Sequence, residues 1–256
     1  MSIMYVGDLH VHVSDVSRVD QVAYRLGVSA VVQVGDFGYF WPNDSSIQKY
    51  FEKRARKGRL NFPWLFCDGN HDNFDKLNQR WEDAGRPDVV KLKENMFHVR
   101  RGGFVEIDGI GHVFCGGARS TDRQFRIGRE DLPFLNERGY GYYTAKDIRW
   151  WPEEVPTRQE LLKFYNAIQR HKPEVVVTHE APLCVPVERV GRDSDPTARE
   201  FTILVNTSEH RPARWFFGHH HVLGSWNDVS DINFYGCGFG GQYHIWKTTK
   251  EDKSET

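Results

Sequence analysis

Residues 3–10 read Ile3-Met4-Tyr5-Val6-Gly7-Asp8-Leu9-His10: four β-prone apolar residues, a glycine, then an Asp and a His two positions apart. The same grammar returns four times. Val31-Val32-Gln33-Val34 runs into Gly35-Asp36, and Trp64-Leu65-Phe66-Cys67 leads to Gly69-Asn70-His71-Asp72. Val175-Val176-Val177 meets Thr178-His179-Glu180, and Trp215-Phe216-Phe217 meets Gly218-His219-His220-His221. Short apolar runs that end in oxygen and nitrogen donors are strands whose carboxyl ends converge, the edge where open α/β sheets bind ligands.

Between these runs the period changes to that of helices. Asp15 is placed to cap a helix with Val16, Val19, Val22, Ala23 and Leu26 on its apolar face, ending at Gly27. Ser46 to Lys57 reads as a second helix, with Ile47, Tyr50 and Phe51 inward and a solvated basic outer face. A short helix using Phe74 and Leu77 follows the third cluster. Met96–Val99, Phe104–Ile107 and His112–Cys115 read as closely spaced strands, the last two joined by an Asp108-Gly109 hairpin turn. Thr157 and Glu160 make a capping box for a helix to about Arg170, and Asp195-Pro196 opens another containing Phe201, Leu204 and Val205. Ile232–Tyr235 and Tyr243–Trp246 are strand-like, and the tail beyond is polar. The economical architecture is α/β: two sheets face to face with helices outside, as one domain over residues 1–256.

Composition agrees with a soluble globular chain of 256 residues, 39% hydrophobic and 27% charged. A formal net charge of −1 supplies no global field toward nucleic acid or anionic lipid, so strong nucleic-acid binding is not expected. No apolar stretch approaches a membrane span and no signal peptide is evident. Cys67, Cys115, Cys184 and Cys237 form no CxxC pair and read as free thiols, which points to a reducing cytoplasm.

The donor inventory is that of a metal centre. Asp8 and His10 can converge on one ion, and the two oxygens of Asp36 can reach two. Asn70 offers a neutral amide oxygen, and His179, His219 and His221 offer imidazoles suited to Mn, Fe, Zn, Co or Ni. That set fills two sites sharing one bridge. Water held between two such ions loses its proton near neutral pH and can attack phosphorus.

The five motifs, in this order, resemble the DxH, GD, GNH[DE], H and GHxH motifs of the calcineurin-like metallophosphoesterases, from Asp8 to His221. The resemblance implies a four-layer α-β-β-α sandwich with a dinuclear centre. It assigns Asp8, His10 and His221 to the first metal, Asp36 to the bridge, and Asn70, His179 and His219 to the second, with Mn²⁺ the expected ion. It assigns His71 to protonation of the leaving oxygen or to steadying the transition state, and Asp72 is expected to hold that imidazole in its tautomer. His220 is expected to point away from the metals, and His12 to lie at the surface. His98, His112, His171, His210 and His244 have no motif around them.

The phosphoprotein-phosphatase branch of that family carries GDxHG, GDxVDRG and GNHE. Here Val11, Tyr39 and Asp72 break the pattern, which sets the chain nearer the phosphodiesterase and small-phosphatase members. The irregular segment 119–154 resembles a stretch of compact bacterial and phage members and is expected to face the substrate. Arg119, Arg123 or Arg126 could grip a phosphate, and Tyr140, Tyr142, Tyr143 or Trp151 could stack on a base. The expected activity is a metal-dependent phosphodiesterase on small diesters such as cyclic nucleotides. A phosphomonoesterase (including a phosphoprotein phosphatase), a nuclease and a non-catalytic scaffold are the alternatives.

Overall fold

A computed structural model describes residues 1–139, 143–188 and 192–247. In chain order the first half contains β1 (Ser2–Val6), α1 (Val13–Leu26), β2 (Ala30–Gln33), α2 (Ser46–Arg56), β3 (Trp64–Phe66), α3 (Phe74–Asp83), β4 (Val89–Lys93), β5 (Met96–Val99), β6 (Gly103–Ile107) and β7 (Ile110–Cys115). There follow α4 (Asp131–Glu137), α5 (Arg158–His171), β8 (Val175–Thr178), α6 (Pro196–Thr207), β9 (Arg214–Phe217), β10 (Leu223–Val229), β11 (Ile232–Cys237) and β12 (Tyr243–Lys247).

The strands form two six-stranded mixed sheets, ordered β12-β1-β2-β3-β5-β4 and β10-β11-β9-β8-β7-β6. Each has four parallel strands in the middle and an antiparallel strand at either edge. Alternation within β1 shows how the layers are made. Ile3 and Tyr5 point between the sheets with Val32, Phe114, Val177 and Phe216, whereas Met4 and Val6 point out under α1 and α2. On the other outer face Phe164 and Ile168 of α5 and Phe201 and Val205 of α6 cover Val113, Val176 and Trp215. Central strands buried on both faces explain why their sequences are continuous apolar runs. The Tyr5 and Phe216 rings stack across the sheets with centroids 3.6 Å apart, and Tyr5 Oη donates to His112 Nε2 at 2.7 Å.

The α-β-β-α sandwich and all five donor-bearing strands agree with the sequence reading. So do Gly27, which closes α1 in the left-handed region, the Thr157–Glu160 capping box, and Asp195 capping α6 ahead of Pro196. There are differences too. α1 begins at Val13, so Asp15 sits in its first turn and caps nothing. The outer face of α2 is not wholly solvated, because Arg54 pairs with the buried Asp20 at 2.7 Å. Strands β4 and β10 and helix α4 had no signal strong enough to read. Both strands lie at sheet edges, and β10 alternates exposed and half-buried residues with almost no apolar run.

Candidate metal centre

Four of the seven expected ligands, His10, Asp36, His219 and His221, have φ between 41° and 63°. Non-glycine residues in that region cost about 1–3 kcal/mol each and persist where the surroundings over-determine them. Here the chain turns sharply off each strand, which throws the next side chain back over the sheet edge. Glycines let these turns interlock: a Cβ on Gly35 would overlap the His179 imidazole, and one on Gly69 the Asp36 carboxylate.

The turns bring electron pairs together. His179 Nδ1 donates to the Val34 carbonyl at 2.9 Å, which aims Nε2 into the cluster. That atom lies 3.1 Å from Asn70 Oδ1 and 3.4 Å from Asp36 Oδ2. Beside them His221 Nε2 lies 3.2 Å from Asp8 Oδ2 and 3.3 Å from His10 Nε2, and His10 Nε2 is 3.6 Å from Asp36 Oδ2. Asp8, Asp36, Asn70 and His179 are at most 2% exposed. Buried acceptors facing acceptors repel unless a cation lies between them. Protonation shows the same demand: burial alone would lower the His179 imidazole, yet Asp36 and Asp8 push it up to about 10. His179 and His71 in turn hold Asp36 well below the usual carboxylate range against its burial. Donor atoms suited to a metal ion fall into three overlapping groups, Asp8-His10-His221, His10-Asp36-His71 and Asp8-Asp36-His179. The residues therefore fit divalent cations, with Asp36 common to two of the groups.

His219 lines the same cleft but stands outside those groups. Its Nε2 faces Glu180 Oε2 at 3.4 Å, a carboxylate–imidazole pair of the kind that orients metal ligands. The other Glu180 oxygen bonds His220 Nε2 at 2.5 Å, so His220 points away from the cluster as expected. His12 is exposed, and His98 and His112 are interior.

A model of the calcineurin-like phosphoesterases matches residues 1–223. The chain belongs to the calcineurin-like phosphoesterase family. No curated protein matches it. TT1561 of Thermus thermophilus superposes with a TM-score of 0.54 at 13% identity, covering 93% of this chain and 89% of that one. An archaeal phosphodiesterase covers 93% of this phosphoesterase and 84% of itself, at 14% identity and a TM-score of 0.36. At 13% identity the likeness to TT1561 speaks to fold alone.

Several expectations for this phosphoesterase need correction. Asp72 does not touch the His71 imidazole. Its carboxylate accepts from the backbone N–H groups of Asp36, Gly38 and Gly69 at 2.8–3.1 Å and so pins two donor loops together. Burial and the nearby Asp36 push it up to about 6. The partner of His71 Nε2 is Arg126, whose Nη2 lies 2.6 Å away, and Arg126 is held by Asp122 at 2.6–2.9 Å. Arg119 and Arg123 do not line the cleft of the donor cluster. Both line the adjoining groove, where Arg119 is exposed and Arg123 is engaged by Glu130, Asp131 and the Trp150 ring. Trp151 is buried against Phe74 and Ile148 and donates to Asp75, so it offers no face to a base. Tyr140 and Tyr142 lie outside the described residues, and Tyr143 is tied to Asn136 through its backbone.

The sequence reading also passed over four wall residues. Trp41 stacks on His71 with centroids 6.3 Å apart, and Phe239 lies 4.6 Å from His221 and 5.4 Å from His10 between ring centroids. Phe239 sits in Gly236-Cys237-Gly238-Phe239-Gly240-Gly241, whose glycine density was the available signal. Ser120 and Glu154 lie behind Asn70, in a segment without periodicity.

Proposed function

We propose that this chain hydrolyses phosphate esters at a dinuclear centre in which Asp8, His10 and His221 hold one divalent cation, Asn70, His179 and His219 hold the other, and Asp36 bridges them. The observation that carries this reading is the convergence of buried carboxylate, amide and imidazole donor atoms around Asp36. Bound there, two cations such as Mn²⁺ supply the acidity that deprotonates water and the charge that steadies phosphoryl oxygens. The chain does the rest. Arg126, its Nε and Nη2 held by Asp122 and its Nη1 braced by Ser120, sets a fixed positive charge beside the non-bridging oxygens. His71, beside it and 3.9 Å from Asp36 Oδ2, accepts from Arg126 Nη2 and is lowered by burial to about 4, so the neutral ring steadies the transition state.

Small phosphodiesters are the favoured substrates. The cleft over the donors, about 390 Å³, shares Thr121 and His219 with a groove of about 870 Å³, so a phosphorus at the centre has room for a second ester arm. Phosphomonoesters are the second reading, favoured by the Arg126 guanidinium, which also suits a dianion. Protein reconstituted with Mn²⁺ is to be assayed on bis(p-nitrophenyl) phosphate, p-nitrophenyl phosphate and the 2′,3′- and 3′,5′-cyclic nucleotides. A higher kcat/KM for diesters is expected. Higher values for the monoester would replace the first reading by the second, and no turnover of any of them would remove both. Among the described residues no helix is long and apolar enough to cross a membrane.

A further inference from the structure

Behind the metal centre lies a hydroxyl whose hydrogen bonds leave it no choice of direction. Ser120, 4% exposed, follows β7 and stands between Asn70 and Glu154. Its Oγ accepts from Asn70 Nδ2 at 2.9 Å and from Arg126 Nη1 at 3.1 Å. A serine hydroxyl has two acceptor positions and one proton, and those donors occupy both acceptor positions. The proton must therefore go to Glu154 Oε2, 2.5 Å away, while Glu154 Oε1 accepts from the Ser120 backbone N–H at 2.8 Å. Glu154 is itself 2% exposed, so its two bonds are not shared with bulk water.

We propose that Ser120 is a positioning residue that couples the second cation to the substrate phosphate, its hydroxyl aimed by Glu154 so that one oxygen orients both the Asn70 amide and the Arg126 guanidinium. The consequence at Asn70 is a choice between the two ends of an amide. With Nδ2 bound to Ser120, Oδ1 is turned to His179 Nε2 and the cation site. Without the hydroxyl, Nδ2 is buried with no acceptor, and the amide gains by turning it toward the acceptor cluster, which removes the oxygen ligand. At Arg126 the same oxygen braces Nη1, while Asp122 holds Nε and Nη2. Neither Ser120 nor Glu154 lines the cleft over the donors, although both line the adjoining groove, so each acts on the phosphate and the cation through other residues.

The inference rests on the dinuclear reading, and Mn²⁺ titration of the metal-stripped full-length protein separates the two. Wild type is expected to take up two ions. In Ser120→Ala one of the two should weaken by about 10–100-fold, the usual cost of removing a partner of a ligand, while the other is unchanged. Ser120→Thr, which keeps the hydroxyl, should restore it. Glu154→Gln preserves shape but must turn its oxygen to the Ser120 N–H and its NH₂ to the hydroxyl. That reverses the hydroxyl and should reproduce the Ser120→Ala defect. Orthophosphate, as a competitive ligand, should bind more weakly to both defective variants. Equal weakening of both ions, or none, in folded Ser120→Ala overturns the inference while leaving the dinuclear reading intact. A wild type that takes up a single ion overturns that reading and the inference with it. If Ser120→Ala does not fold, Glu154→Gln against Ser120→Thr carries the same comparison, and wild-type behaviour of Glu154→Gln counts against the coupling.

Discussion

The strand-end cluster and the segment 119–154 are both crowded with polar side chains, but they are satisfied in opposite ways. At the strand ends, carboxylate, amide and imidazole atoms crowd together and call for a cation between them: His179 Nε2 meets Asp36 Oδ2 and Asn70 Oδ1, and His221 Nε2 meets Asp8 Oδ2. In the segment, charge meets countercharge: Arg123 with Glu130 and Asp131, Arg126 with Asp122. A region whose internal pairing is complete is mostly structure, whereas one whose groups repel is built around something else. Arg126 belongs to the second region but reaches into the first.

The sharpest way to break this contrast is to remove the shared acceptor. Asp36→Asn is expected to lower Mn²⁺ affinity at both sites and kcat/KM on the order of 10³-fold. An unchanged metal stoichiometry would mean that Asp36 is not the bridge. His71→Ala should retain both ions and lose about 10²-fold in kcat. Loss of metal instead would make His71 a ligand, a role its proximity to His10 and Asp36 makes testable.

Within the segment the comparison predicts a split between neighbouring arginines. Arg126→Ala is expected to reduce kcat/KM by about 10–100-fold, with little recovery in Arg126→Lys because an ammonium cannot meet Asp122, His71 and Ser120 at once. Arg123→Ala, which removes only half-exposed pairs, should change kcat/KM less than about threefold. Equal losses in both would erase the distinction between the two regions.

The smallest effect on catalysis is expected far from the donors, where a histidine is fully satisfied. His112 Nδ1 donates to the Ile110 carbonyl at 2.8 Å and Nε2 accepts from Tyr5 at 2.7 Å, so the ring is neutral, and burial lowers it to about 4. Because that value lies below the 6.5 of an unperturbed histidine, the unfolded chain takes up the proton first as pH falls. Stability from this residue is complete above about pH 6.5 and is lost toward pH 4, by up to roughly 3 kcal/mol. Chemical denaturation across that window should show a shallower pH slope in His112→Gln, with kcat at neutral pH unchanged.

The strand ends were legible because two local signals coincide there. An apolar run demands burial, and the donors that follow it must then stand at the edge of the buried layer. The segment 119–154 had no such coupling. Its arginines are equivalent in sequence, and nothing local separates Arg126, which reaches His71, from Arg123, which stacks on Trp150. Asp72 misled for a related reason. Adjacency to His71 suggested a bond to the ring, but the carboxylate turns instead to the N–H groups of Asp36, Gly38 and Gly69.

Sequence alone thus determined the layered α/β architecture and the inventory and order of the donors, because burial and strand periodicity act over a few residues. Only the tertiary structure decided which lone pairs face one another, because left-handed turns at His10, Asp36, His219 and His221 and the close approach of two sheets set those directions. The Asn70–Ser120–Glu154 chain joins residues 50 and 34 positions apart, and no local pattern encodes a contact made across that distance.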